Sequence, residues 1–378
     1  DNIIFTSSRA ELSKANVFII TVPTPIDTKN IPDLSLIKKA CTLVGDEISK
    51  NNSNTIPIII FESTFYPGAT EEICVPILEK YSKLKYLHEN NKKSLNNNFF
   101  YCGYSPERIN PGDKSKDLTN IVKITSGSTK EISKKIDNLY KSIIKAGTYN
   151  VESIKIAEAA KIIENTQRDV NIALINELSL IFKKMNIDTE KVLKAAETKW
   201  NFHSFRPGLV GGHCIGVDPY YLSHKSLELG YLPQIILSGR KINDEMSLQI
   251  ATEILIKMSE KNIKISNSNI LLMGFTFKEN CGDTRNTKVI DLYHEFKKHK
   301  CNVDIYDPNA DKKSTYKEFN VKLIDKPKKE QYDVVVILVA HNIFKKIGIK
   351  NIKSFTKKNS IIYDIKYLFS PNDVDGRI

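Results

Sequence analysis

Apolar and polar positions fall into blocks along this chain. Residues 16–22 (NVFIITV) and 55–61 (TIPIIIF) are runs of mostly β-branched residues, the pattern of strands buried on both faces of a parallel sheet. Between them, 33–50 (DLSLIKKACTLVGDEISK) repeats with a helical period, with Leu36, Ala40, Leu43, Val44 and Ile48 on one stripe. Strand, helix and strand make a βαβ unit, whose crossover is expected to be right-handed. A third strand is expected just before YCGYSPERINPGD (101–113), and the polar stretch 89–98 (ENNKKSLNNN) reads as a mobile surface loop.

From 151 the pattern changes. Residues 153–185 keep a helical period with no Pro or Gly, and a second helical stretch, about 222–260, is interrupted near Gly230–Pro233. Strand patterns return at 269–273 (NILLM), 302–306 (NVDIY), 333–339 (DVVVILV) and 361–365 (IIYDI), with a helix predicted from Val289 to Lys300. The fold class read from this order is α/β: two doubly wound, Rossmann-like domains joined by a helical one. The boundaries expected are 1–150, 151–260 and 261–378.

Composition narrows the class. With 41% hydrophobic and 26% charged residues over 378 positions, the chain is neither disordered, collagen-like nor a disulfide scaffold. Its longest apolar runs are far below the ~18 residues of a membrane span, and DNIIFTSSRAELSK lacks the form of a secretory signal. The net charge is +12, but Lys is spread over the whole length rather than clustered among aromatics, which argues against nucleic acid as a partner. Six cysteines show no C-x-x-C pair and no finger-like spacing, so no metal is expected, and reduced thiols in a cytoplasmic protein are.

Four segments carry candidate chemistry. In 207–221 (PGLVGGHCIGVDPYY), four glycines surround Cys214, with Asp218 four residues on. Glycines let backbone N–H groups approach a ligand closely, and a thiol in such a loop can act as a nucleophile; a tight turn that happens to carry a Cys explains it equally well. In 158–169 (EAAKIIENTQRD), Lys161 and Asn165 are one turn apart on one face; they can hold an oxyanion, although a solvated helix face is the plainer reading. The turns TVPTPID (21–27), ESTFYPG (62–68) and SPER (105–108) follow strands, where ligands bind in such sheets, and Glu107 there is a candidate acid or base. Finally, 274–291 (GFTFKENCGDTRNTKVID) leads from strand to helix, so its amides, Lys278 and Arg285 can meet phosphate.

Taken in order, VPTP, ESTFYPG, SPER, the Lys161/Asn165 helix, GGHCIGVD and FKENCGDTR resemble the UDP-glucose/GDP-mannose dehydrogenase family from about residue 5 to about 370. The finer wording is similar to the UDP-N-acetylhexosamine 6-dehydrogenase branch, including enzymes for Vi-type and O-antigen polysaccharide. The resemblance implies a four-electron oxidation of the sugar C6 alcohol with NAD. Cys214 would form a thiohemiacetal and then a thioester, Lys161 and Asn165 would steady oxyanions, Asp218 would move a proton, and Glu107 and Thr64 would hold or activate water. Val22, Pro23, Thr24, Ser63, Thr64 and Arg285 would contact NAD. The UDP-sugar would meet Glu107, Arg108, Lys161, Asn165, Phe205, Arg206, Gly208, Gly211, Phe277 and Lys278, and more weakly Lys366. Arg240 would reach the substrate of a neighbouring subunit. A homodimer on the central helices and a role in capsule or other surface polysaccharide are implied as well. The alternatives are a UDP-glucose 6-dehydrogenase, a nucleotide-sugar-binding fragment without turnover, and a basic nucleic-acid binder.

One departure from the family pattern is the missing G-x-G-x-x-G turn for the NAD pyrophosphate. It leads to the expectation that the first domain is N-terminally truncated and that this chain by itself binds NAD⁺ poorly.

Overall fold

The computed structural model describes residues 3–50, 55–91, 98–109, 117–212 and 214–378. The heart of the expected polar loop (92–97), the end of the SPERINPGD turn and His213 lie outside the described residues. The chain forms two compact units, one of residues 1–165 with 217–232, the other of 166–216 with 233–378.

The first unit holds a six-stranded sheet of β1 (Val17–Ile20), β2 (Ile58–Phe61), β3 (Lys85–Tyr86), β4 (Phe99–Tyr104), β5 (Lys123–Gly127) and β6 (Thr148–Asn150). The strands lie in the order β1-β2-β4-β5-β6, with β3 beside β4. All pairs are parallel except β4 with β5. Helices α1 (Ser35–Ile48) and α2 (Val75–Ser82) pack against each other. The main apolar core of this unit joins Phe18, Ile20, Ile59 and Phe61 to Ile37, Cys41 and Leu78. A second layer is formed by Ile60 against Ile132, Ile136 and Tyr140 of α3 (Lys130–Lys141).

Three expectations change here. β1 is an edge strand of alternating burial, with Val17 and Ile19 exposed by 45% and 46%, so it is not buried on both faces. The core face of α1 is Ile37, Cys41, Val44 and Ile48; Val44 and Ile48 lie on the expected stripe, but Ile37 and Cys41 take the buried places expected of Leu36 and Ala40, and Leu36 is exposed. The YCGY segment does not follow a strand; it belongs to β4.

Helix α4 (Ile154–Lys184) begins in the first unit and ends in the second. α6 (Asp218–Glu228) belongs to the first unit, and α5 (Thr189–Ala196) and α7 (Gln234–Glu260) to the second. The break near 230 falls where expected, but α6 starts at Asp218 with Pro219 in its first turn, a position where the missing N–H costs nothing.

The sheet of the second unit has the order β11-β10-β9-β7-β8 and is parallel throughout. Its strands are β7 (Asn269–Met273), β8 (Asn302–Tyr306), β9 (Tyr332–Ile337), β10 (Thr356–Asp364) and β11 (Gly376–Arg377). α8 (Val289–Lys298) packs with α7 over one face, where Leu272, Val334 and Val336 meet Ile254 and Leu292. On the other face Leu271, Met273 and Val335 meet Phe344 and Ile352 of α9 (Asn342–Lys353). Among the described residues, no helix is long and apolar enough to cross a membrane.

Candidate active site

The candidate residues fall in both units, and each unit builds its own set. In the first, α4 presents Lys161 and Asn165 one turn apart, and α6 presents Asp218 from its first residue. Asn165 Nδ2 donates to Asp218 Oδ2 at 2.6 Å, and Lys161 Nζ lies 3.7 Å from the same oxygen. Lys161 and Asp218 are 4% and 1% exposed. Burial raises the Asp218 carboxyl to about 6, against the pull of Lys161 and Asn165, and Glu107 adds a smaller upward push. A carboxyl titrating there can give and take protons near neutral pH, which suits general acid–base chemistry.

Glu107 caps its own turn, accepting the Ile109 N–H. Arg108 is held by Glu164 at 2.7 Å and donates to the Val122 carbonyl at 2.6 Å. Behind this turn the buried Lys123 ammonium lies 3.2 Å from Glu62 and donates to the Pro106 carbonyl at 3.3 Å. The turns after β1 and β2 are stitched together: Ser63 Oγ donates to the Val22 carbonyl at 2.6 Å, and Thr24 Oγ1 to the Thr64 carbonyl at 3.0 Å. Tyr221 of α6 donates to the Thr24 carbonyl at 2.8 Å. Val22, Thr24, Ser63 and Thr64 are thus joined at the carboxyl ends of two parallel strands, with Pro23 between them, where ligands bind in such sheets.

Glu158, on α4 three residues before Lys161, drew no attention in the sequence. It is fully buried and accepts the Gly68 N–H at 2.6 Å, the Thr70 N–H at 2.9 Å and the Thr70 hydroxyl at 2.6 Å. It therefore ties the end of the ESTFYPG turn to α4. Burial raises its carboxyl to about 7, the three hydrogen bonds pulling the other way. The folded value stands above the ordinary 4.5, so folding favours the protonated form. Stability from this group is complete below about pH 4.5 and lost as pH rises through 7, roughly 3 kcal/mol at most. Asp218 contributes with the same sign. Glu158→Gln is expected to flatten the fall in melting temperature between pH 5 and 8. An unchanged slope would assign that titration to other groups.

In the second unit the glycine loop is fixed by close backbone approach. A Cβ on Gly211 would sit 2.6 Å from the Asn286 carbonyl, so only glycine fits. The Gly212 N–H donates to that same carbonyl at 3.1 Å, while Asn286 Nδ2 donates to the Gly212 carbonyl at 2.9 Å. The glycine loop carrying Cys214 is thereby docked on the GDTRN turn. Cys214 is half-buried, whereas the other five cysteines are buried, and none of the six is in a disulfide. Arg285 lies within electrostatic reach of Cys214 and forks onto Asp283, with Nη2 at 2.6 Å.

Arg206, beside Phe205, is held by Glu190 at 2.8 Å and Glu197 at 2.6 Å. Lys278 lies over the Phe277 ring, and Lys366 pairs with Glu279 at 3.3 Å. A Cβ on Gly208 would lie 3.7 Å from Lys366 Nζ. Arg240 is buried and bound to Asp169 and Asp244, each at 2.6 Å.

Three protein-family models match the chain. They are the NAD binding domain (1–144), central domain (155–245) and UDP binding domain (271–371) of the UDP-glucose/GDP-mannose dehydrogenase family. The chain belongs to that family. It is 50% identical over 374 residues to a UDP-N-acetyl-D-glucosamine 6-dehydrogenase of Salmonella typhi, covering 99% of this chain and 84% of the relative. An enzyme of the same name from Pseudomonas aeruginosa is also 50% identical, over 99% and 85%. Among solved structures, UDP-D-ManNAc dehydrogenase from Pyrococcus horikoshii superposes with a TM-score of 0.82 at 29% identity, covering 98% of this chain and 82% of that one.

Proposed function

We propose that the protein oxidises the C6 alcohol of a UDP-N-acetylhexosamine to the carboxylate, using two NAD⁺. The observation that carries this reading is the half-identity, over almost the whole chain, to two enzymes named for that reaction on UDP-N-acetyl-D-glucosamine. The buried lysine, amide and carboxyl of the first unit supply the acid–base and oxyanion groups that such a reaction requires.

The chemistry divides among the chain's own residues. Cys214 Sγ adds to the carbon of the C6 aldehyde, giving a thiohemiacetal whose oxidation leaves a thioester. Water adds to the thioester carbonyl, and Sγ departs as thiolate with release of the acid. Lys161 and Asn165 hold the oxygen that becomes negative at each addition, Asp218 carries the proton at its carboxyl, and Glu107 and Thr64 hold the water. The strand-end turns with Val22, Pro23, Thr24, Ser63 and Thr64 would hold NAD, which would supply the hydride acceptor for each of the two oxidations. In sum, one alcohol, one water and two NAD⁺ give one carboxylate, two NADH and three protons.

In this reading residues 1–150 serve NAD, 151–260 carry the catalytic helix and the glycine loop, and 261–378 hold the UDP moiety, with Arg206, Phe277 and Lys278 as sugar-nucleotide contacts. The protein works in the cytoplasm as a homodimer and supplies uronic acid to surface polysaccharide. The exposed Ile163, Leu174 and Ile181 along α4, with Met185 just past its end, support a dimer through the central helices. NADH formation from UDP-N-acetylglucosamine and from UDP-glucose tests the substrate. At least a tenfold preference in kcat/KM for the N-acetyl sugar, about 1.4 kcal/mol, is expected, and a preference for UDP-glucose would refute the assignment.

A further inference from the structure

The loop that carries the candidate substrate residues Phe205, Arg206, Gly208 and Gly211 is gripped from beneath by one amide. Asn176, in the middle of α4 and fully buried, accepts the Gly208 N–H at Oδ1 (2.8 Å) and donates from Nδ2 to the Gly208 carbonyl (3.1 Å). Both backbone groups of one residue are thus taken by one side chain. Gly208 has φ +151°, a conformation that glycine adopts freely and residues with a Cβ rarely do, so the residue gripped here has to be glycine. Asn176 Nδ2 also donates to Asn243 Oδ1 at 2.8 Å. Asn243 of α7 in turn donates to Asp169 Oδ1 at 2.8 Å and to the Asp169 carbonyl at 3.0 Å. The same Asp169 oxygen receives Arg240 at 2.6 Å. The four side chains are 0–2% exposed. A line of buried polar groups therefore runs from Arg240 to the backbone of the substrate loop.

We propose that Asn176 and Asn243 are positioning residues that set the loop 204–212 for the sugar nucleotide. Neither residue is required by the apolar packing of α4 and α7. A buried amide among helices costs free energy unless every donor and acceptor is used. Here the direction of each bond is dictated by the next. The Gly208 N–H demands an oxygen, which turns the Asn176 NH₂ toward the Gly208 carbonyl and Asn243 Oδ1, and Asn243 then offers its own NH₂ to Asp169. Such a chain has one arrangement, so it fixes the loop rather than merely filling space. The inference rests on the reading that this loop meets the UDP-sugar.

The test uses the full chain. Asn176→Asp keeps the shape and still accepts the Gly208 N–H, but it loses both N–H donations and sets a carboxylate against two carbonyl oxygens. Amide exchange in a peptide covering 205–212 is expected to quicken by ~10-fold or more, with α7 protection unchanged, and the KM for the UDP-sugar to rise by ~10-fold, with the NAD⁺ KM within about twofold. Asn243→Ala, which leaves the grip but removes its support, is expected to show a smaller change of the same kind, and it serves if Asn176→Asp does not fold.

Unchanged exchange in the loop overturns the proposal. So does a loosened loop with unchanged UDP-sugar kinetics, or a general loosening that raises both KM values alike. If the wild-type chain neither binds a UDP-sugar nor forms NADH from any, the functional reading has failed. The exchange arm then still decides whether Asn176 holds the loop.

Discussion

Cys214→Ser is expected to abolish acid formation, lowering four-electron turnover on the order of 10³-fold or more. Serine matches cysteine in shape, so the loop docked on Asn286 keeps its contacts. The hydroxyl is a poorer nucleophile at neutral pH, and an oxygen ester would replace a thioester with its good leaving group. UDP-sugar affinity should stay within a few-fold. Full-length turnover at two NADH per sugar in the variant would remove covalent catalysis from the account.

The second large effect is expected for Lys161→Met. Methionine retains the apolar stem but removes the ammonium 3.7 Å from Asp218, with an expected fall in kcat on the order of 10²–10³-fold. The pH dependence separates this from simple damage. Lys161 opposes the rise that burial imposes on Asp218, so its loss moves that carboxyl above about 6. The base form is then reached only at higher pH, and the acid limb of the kcat/KM profile should shift upward. A limb left in place, with turnover within about fivefold of the parent, would exclude Lys161 from the chemistry.

How far the sequence speaks depends on the range of the contacts involved. The helices α4 and α7 and the strands β7 to β9 were legible because their periods persist over many residues. The segment 123–150 was less so: KITSG is short and polar, and among its lysines α3 carries only the apolar Ile132, Ile136 and Tyr140, one turn apart, on its buried face. In α1 the pattern marks Val44 and Ile48 but not Ile37, because Leu36 and Ile37 are equally apolar and only the packed neighbours choose between them. Lys161, Asn165 and Asp218 were found through motif wording. Their shared oxygen, which joins residues 53 positions apart, was not in it. Glu158 and Asn176 were missed for the same reason: each looks like an ordinary polar helix residue until its partner, 90 and 32 positions away, is seen. The faint signal was a polar residue on an inward helical face.

The thiol arrangement has a practical consequence. Cys41, Cys74, Cys102 and Cys301 are shut inside apolar cores, Cys281 is buried at 9% exposure in the loop after β7, and Cys214 alone is half-buried on a loop. A small electrophile offered to the native fold therefore meets a single accessible sulfur, whereas the denatured chain offers six. Mild alkylation becomes a one-site label, countable by intact mass. It gives covalent probes an address on this protein that needs neither engineered handles nor the removal of competing thiols.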